Sequence, residues 1–115
     1  MNNICFIIAH KYFRGYTSYL EHYIENIQKF YPEALTIVVD NNSNYKEDVF
    51  SLVEGKDRVV FLNNDSDSKF ELGAYRVGSK YVLDNGLEKD YNYFVFAQDT
   101  FVLKNKYDFK LMKEE

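Results

Sequence analysis

Ile4-Cys5-Phe6-Ile7-Ile8-Ala9 is an unbroken apolar run with no polar residue at alternate positions. A strand with one wet face alternates polar and apolar residues; a strand covered on both faces does not, and such strands belong to parallel sheets flanked by helices. The run therefore predicts a central strand. Working outward, Leu35-Thr36-Ile37-Val38-Val39 is a second β-branched run, Arg58 to Leu62 a third, and Tyr91 to Ala97 a fourth.

Helical signals fill the intervals. From Ser18 to Tyr31, the residues Leu20, Tyr23, Ile24, Ile27 and Phe30 recur at helical spacing; Ser18 with Glu21 fits a capping box, and Pro32 stops the helix. Asn44 followed by Glu47 caps a short helix carrying Val49, Phe50 and Val53 and closed by Gly55. Ser68 and Glu71 form another capping box, opening a helix with Leu72, Tyr75, Ser79 and Val82 on one face and an end near Asn85-Gly86. An extension through Phe101-Val102-Leu103 and a charged tail complete the pattern.

Strand and helix repeated three times and closed by a strand predict an α/β fold, a Rossmann-like three-layer sandwich around a mainly parallel four-stranded sheet of order 3-2-1-4. The topological switch then lies between the first and fourth strands. Open α/β sheets bind ligands at the carboxyl ends of their strands near such a switch. His10 and Asp99 would flank that crevice, with Asp40 one strand away.

The composition sets limits. A chain of 115 residues holds one hydrophobic core, so residues 1–115 read as a single domain. With 46% hydrophobic residues and a single proline it is globular rather than disordered. A net charge of -4 and the lack of a basic cluster argue against a nucleic-acid partner, which needs cations to displace phosphate counterions. An anionic nucleotide remains compatible where a metal ion or a helix N-terminus offsets its charge. The lone Cys5 sits inside the first apolar run and reads as a core atom. The N-terminal run is too short to cross a membrane and has no basic leader, so the expectation is a cytoplasmic chain without a transmembrane segment.

Several polar groups fall at the predicted carboxyl edge, each with two readings. Asp99 can ligate Mg²⁺ or Mn²⁺, which take one or two protein oxygens and fill the rest with phosphate and water, or it can cap the following turn. Asp40, Asn41 and Asn42 offer acceptors and donors to a nucleobase edge or ribose hydroxyls, or form an Asx-rich turn. A calcium loop starting at Asp40 is excluded, because Tyr45 replaces its glycine and Ser51 its bidentate glutamate. Asp65-Ser66-Asp67 follows the third strand, away from the switch, and reads as a solvated loop. Gly73, in the first turn of its helix, implies close backbone approach to a strand or ligand. Arg76 reaches either a diphosphate or a surface carboxylate. His10 faces a ligand or belongs to a turn, and His22 faces solvent. No serine or cysteine sits on a nucleophile elbow, so covalent catalysis has no support.

Three of these segments share a likeness. Ile37-Val38-Val39-Asp40-Asn41-Asn42-Ser43 resembles the V-V-D-N-G-S second-strand motif of family-2-like glycosyltransferases with the GT-A fold. Glu71-Leu72-Gly73-Ala74-Tyr75-Arg76 resembles their N-x-G-x-x-x-A/R helix start, and Phe94-Val95-Phe96-Ala97-Gln98-Asp99-Thr100 is similar to the strand that carries their D-x-D metal motif. The segments occur in the family's order. The resemblance implies a nucleotide-diphosphate sugar as partner, with Ala9, His10, Asp40, Asn41, Asn42, Gly73, Arg76 and Asp99 around it and a divalent cation, Mn²⁺ or Mg²⁺, on Asp99. Asp40 would read the base or ribose.

Two departures qualify the likeness. Ala97 stands where the family commonly has the first acid of D-x-D. The chain also spans only the donor-binding half; the family's second half supplies the acceptor site and, in inverting members, the general base. The expectation is a donor-binding domain without turnover by itself, its missing half supplied by a partner chain, or a homodimer formed through an exposed fourth strand. A non-catalytic α/β interaction module is the alternative. Ala9-His10-Lys11, with no acidic residue, argues against a receiver-type signalling domain, which needs acids just after the first strand.

Overall fold

The structure is a computed structural model that describes residues 3–10, 18–40, 55–64 and 71–98, with the backbone alone at 18, 19, 71, 72 and 98. In chain order these residues form β1 (Ile4–His10), α1 (Ser18–Phe30), β2 (Leu35–Asp40), β3 (Val59–Asn63), α2 (Glu71–Asp84) and, after a 3-10 turn at Leu87–Lys89, β4 (Tyr93–Gln98). The expected helix after Asn44, the Ser68 cap and the extension at Phe101 to Leu103 lie outside the described residues.

The sheet has four strands in the order β3-β2-β1-β4, and every pairing is parallel. This is the expected α/β arrangement, with the switch between β1 and β4. All seven residues of β1 are buried. Its even-numbered side chains Ile4, Phe6 and Ile8 join Val38 and the α1 residues Leu20, Tyr23, Ile24 and Ile27 in one core layer. Its odd-numbered side chains Cys5, Ile7 and Ala9 join Ile37, Val39 and the α2 residues Ala74 and Val82 in the other. The unbroken apolar run thus serves two cores at once, which is why it shows no alternation.

Element boundaries differ from the sequence reading in ways that have local causes. α1 ends at Phe30 rather than Tyr31, because the residue before Pro32 is pushed out of helical geometry. Tyr31 still donates its N–H to Ile27 O at 2.7 Å. β3 begins at Val59 rather than Arg58, whose φ of 57° is left-handed and incompatible with a strand. Tyr91 lies outside β4; its entry is set instead by Asn92 and Tyr93, whose N–H groups both donate to Asn3 O. β1, β2 and β3 each run one residue further than expected, so His10, Asp40 and Asn63 belong to the strands.

The buried stripe of α2 also departs from expectation. Ala74, Gly78 and Val82 face the sheet, whereas Tyr75 and Ser79 are only half-buried. Small residues at four-residue spacing let the helix axis approach β1 and β2 closely, and large apolar residues mark its flank. A Cβ built on Gly78 would lie 2.5 Å from Ile7 Cγ2.

Cys5 is fully buried, as expected. Burial pushes its thiol up to about 12 from an ordinary 9.0, because the thiolate loses its hydration. The folded value lies above the unfolded one, so this contribution to stability is complete below pH 9 and is lost as pH rises toward about 12. Burial raises Tyr23 and Tyr91 as well, adding loss of the same sign at higher pH. Urea denaturation across this alkaline range should show a falling midpoint, with a slope of up to about 1.4 kcal/mol per pH unit from the thiol. Cys5→Ala should flatten that slope, whatever it does to the absolute level; an unchanged slope would remove Cys5 from the account.

Candidate functional site at the carboxyl edge

Parallel pairing fixes what meets at the carboxyl edge. His10 and Asp40 are register partners at the ends of β1 and β2, and Asp40 is in turn the partner of Asn63 on β3. Asn64 donates its backbone N–H to Asp40 O at 2.8 Å, carrying the parallel ladder one step past the end of β3. On the other side of β1, Ala9 pairs with Gln98, one residue before Asp99 in the chain.

The edge is polar and enclosed. His10 is 2%, Asp40 0% and Asn64 4% exposed. A carboxylate taken out of water is costly unless charge or hydrogen bonds compensate it, and all three residues are engaged in polar or ring interactions. Within that setting, the Nε2 atom of His10 is a buried nitrogen without a hydrogen bond of its own. Strand alternation puts His10 and Asp40 in the layer of Ile8 and Val38, on the α1 side of the sheet.

The other predicted residues divide between two layers. Ala9 is buried with the α2-side cluster. Gly73 is buried in the first turn of α2, and Arg76, one turn on, is exposed. Both belong to the helix that packs on the opposite face from His10 and Asp40. The fold therefore brings His10 and Asp40 together directly and gathers Gly73 and Arg76 behind the sheet. Asn41, Asn42 and Asp99 lie outside the described residues, as does the Asp65-Ser66-Asp67 triplet.

The sequence reading overlooked Asn64, which is buried one residue past the end of β3 and donates its backbone N–H to Asp40 O. The signal was available: Asn63-Asn64 ends the third apolar run as Asp40 ends the second. It also overlooked Gly78, although Ala74-Gly78-Val82 is a visible small-residue stripe.

Among the described residues no group of three or more His, Cys, Asp or Glu side chains gathers as a metal site. No helix among them is long and apolar enough to cross a membrane. Among the described residues a cleft opens at the amino edge, beside Thr36 and Arg58. Compared with known proteins, the chain matches no family model, no curated protein and no solved structure.

Proposed function

We propose that the chain is a donor-binding domain of the glycosyltransferase type, which takes a nucleoside diphosphate or its sugar conjugate at the carboxyl edge. The observation that carries this reading is the side-by-side placement of His10 and Asp40 at the ends of β1 and β2, one strand from a topological switch in an all-parallel sheet. Support also comes from the order of the three motif-like segments. Asp40, 0% exposed here, accepts from a base N–H or ribose hydroxyl only where ligand binding uncovers it. By the resemblance of its strand to the D-x-D segment, Asp99 takes the cation role together with the ligand's own phosphate oxygens and water.

Calorimetric titration with UDP and GDP, with and without Mn²⁺, tests this. One of them should bind saturably and more tightly with metal. Asp40→Asn, nearly isosteric, should weaken binding by about 2 kcal/mol, roughly thirtyfold, as expected for a hydrogen bond to a charged group, with the circular dichroism spectrum unchanged. Asp99→Asn should erase the metal dependence. Absence of heat and of thermal shift with every nucleotide would discard the reading.

One observation favours the second reading, an interaction module. Phe96 is 48% exposed on β4, at the edge of the sheet, where it meets Tyr75 edge-on at 5.2 Å. β4 carries no charged residue, the usual guard against strand pairing. Failure of the nucleotide titration together with a concentration-dependent dimer in light scattering would put that module first.

A further inference from the structure

At the amino edge, opposite the carboxyl edge, a cleft of about 300 Å³ opens between the end of α1 and the turn that leads into β3. Buried Ala34 and Thr36 line it together with Gln28, Lys56, Asp57 and Arg58. Its walls are tied together across long sequence separations. Gln28 Nε2 donates to Asp57 O at 3.2 Å, Arg58 Nη1 donates to Glu33 O at 3.2 Å, and Thr36 N donates to Arg58 O at 2.9 Å.

Arg58 is the one non-glycine residue with positive φ among the described residues, at 57°. Such a conformation is unfavourable for a long side chain and persists where surrounding contacts enforce it; it recurs at ligand clamps. Glycine or asparagine would make the same turn with less strain, so what arginine adds is its guanidinium. That group has five N–H donors in a fixed fork, and the contact with Glu33 O is made through Nη1 alone. Lys56 adds a second cation and Asp57 a single anion, so the lining is net positive in a chain of net charge -4.

The carbonyls at the end of α1 oppose an anion here. Of the last-turn carbonyls, Ile27 O already accepts from Tyr31 N, and the two cations of the lining outweigh what remains of that field. We propose that the cleft is a binding site for a small oxyanion of the phosphate class, held by Lys56 and the open donors of Arg58 between walls already fixed by the hydrogen bonds above. The site is separate from the carboxyl edge and independent of the nucleotide reading.

The test is a titration of the full chain with inorganic phosphate at constant ionic strength, followed by amide chemical shifts. Saturable shifts confined to Gln28, Thr36 and Lys56 to Arg58 are expected. Lys56→Gln and Arg58→Gln should each weaken binding about three- to fivefold, the measure of a partly exposed ion pair. Asp57→Asn should strengthen it, and added sodium chloride should weaken it by screening. Asp40→Asn should leave it unchanged, which separates this site from the proposed nucleotide site. Lys56 takes part in none of the hydrogen bonds tying the walls, so its variant remains informative if Arg58→Gln unfolds. Non-saturating shifts, shifts at His10 and Asp40 instead, or unaltered affinity in Lys56→Gln would overturn the proposal.

Discussion

Phe6→Ala should remove about 4 kcal/mol of stability, the typical cost of emptying a buried aromatic site. Phe6 is 1% exposed in the middle of β1, and its ring lies 5.6 Å from that of Tyr31 at an interplanar angle of 43°. It belongs to the cluster that joins α1 to the sheet, so the cavity would open between two layers that the backbone ladder holds apart. Collapse into such a space is limited, which places the cost toward the upper end of the usual range. Against a total of about 5–15 kcal/mol for a domain, the variant sits near the threshold of folding. Its melting temperature should fall by roughly 15 °C or more. Phe6→Leu, which keeps most of the volume, should lose only about 1 kcal/mol. Urea denaturation of the pair would measure the difference; a loss under about 1 kcal/mol for Phe6→Ala would mean that the α1 layer is not packed as described.

Gly78→Val should cost about 3 kcal/mol, and Gly78→Ala about 1 kcal/mol, with the sign decided by packing rather than by helix propensity. Alanine gains up to about 1 kcal/mol over glycine in a helix interior, whereas overpacking costs about 1–3 kcal/mol. The new Cβ would stand 2.5 Å from Ile7 Cγ2, 3.6 Å from Ile7 Cβ and 3.5 Å from Val39 Cγ2. Ile7 Cγ2 is bonded directly to a branched Cβ in a strand buried on both faces, so it cannot swing aside as the tip of a long side chain does. Valine adds further volume at the same point and a poorer helix propensity. Ile7→Ala removes the obstructing methyl, so the double variant Ile7→Ala with Gly78→Ala should lose less than the sum of the two single losses, by about 1 kcal/mol. Strict additivity in that cycle would show that α2 does not approach β1 through Gly78.

Both variants probe the layers that hold the carboxyl edge in place, which makes them useful controls for the nucleotide experiments. Phe6 lies four residues before His10 on the same face of β1, and Ile7 pairs with Ile37, three residues before Asp40. A destabilised but folded Gly78→Ala chain that keeps its affinity would show that binding depends on the strand ends themselves rather than on overall rigidity.

Much of the fold was legible. The unbroken run of β1 announced a strand with two covered faces, and the α1 periodicity of Leu20, Tyr23, Ile24 and Ile27 matches the residues found buried. The parallel pairing followed from the strand-helix alternation, and the expected order β3-β2-β1-β4 is the one found, although right-handed crossovers alone allow other orders. The α2 face was misread because apolar bulk was counted while contact depends on small residues: Tyr75 flanks the helix and Gly78 touches the sheet. At the site, the strand-end positions of His10 and Asp40 were legible, and their near-complete burial was not. Exposure at a strand end depends on what neighbouring segments cover, which no local pattern records.

What the sequence by itself determined is whatever depends on neighbours along the chain: the strand runs, the helix periods, the stop at Pro32 and hence the parallel layered class. What only the tertiary structure decided depends on residues distant in sequence, such as the register that sets His10 beside Asp40, the contact between Gly78 and Ile7, and the left-handed Arg58 closing a cleft against Gln28. The physical reason is one of range. Backbone propensity and hydrophobic period act over a few residues, whereas register, close approach and burial are set by packing between segments that meet only when the chain has folded.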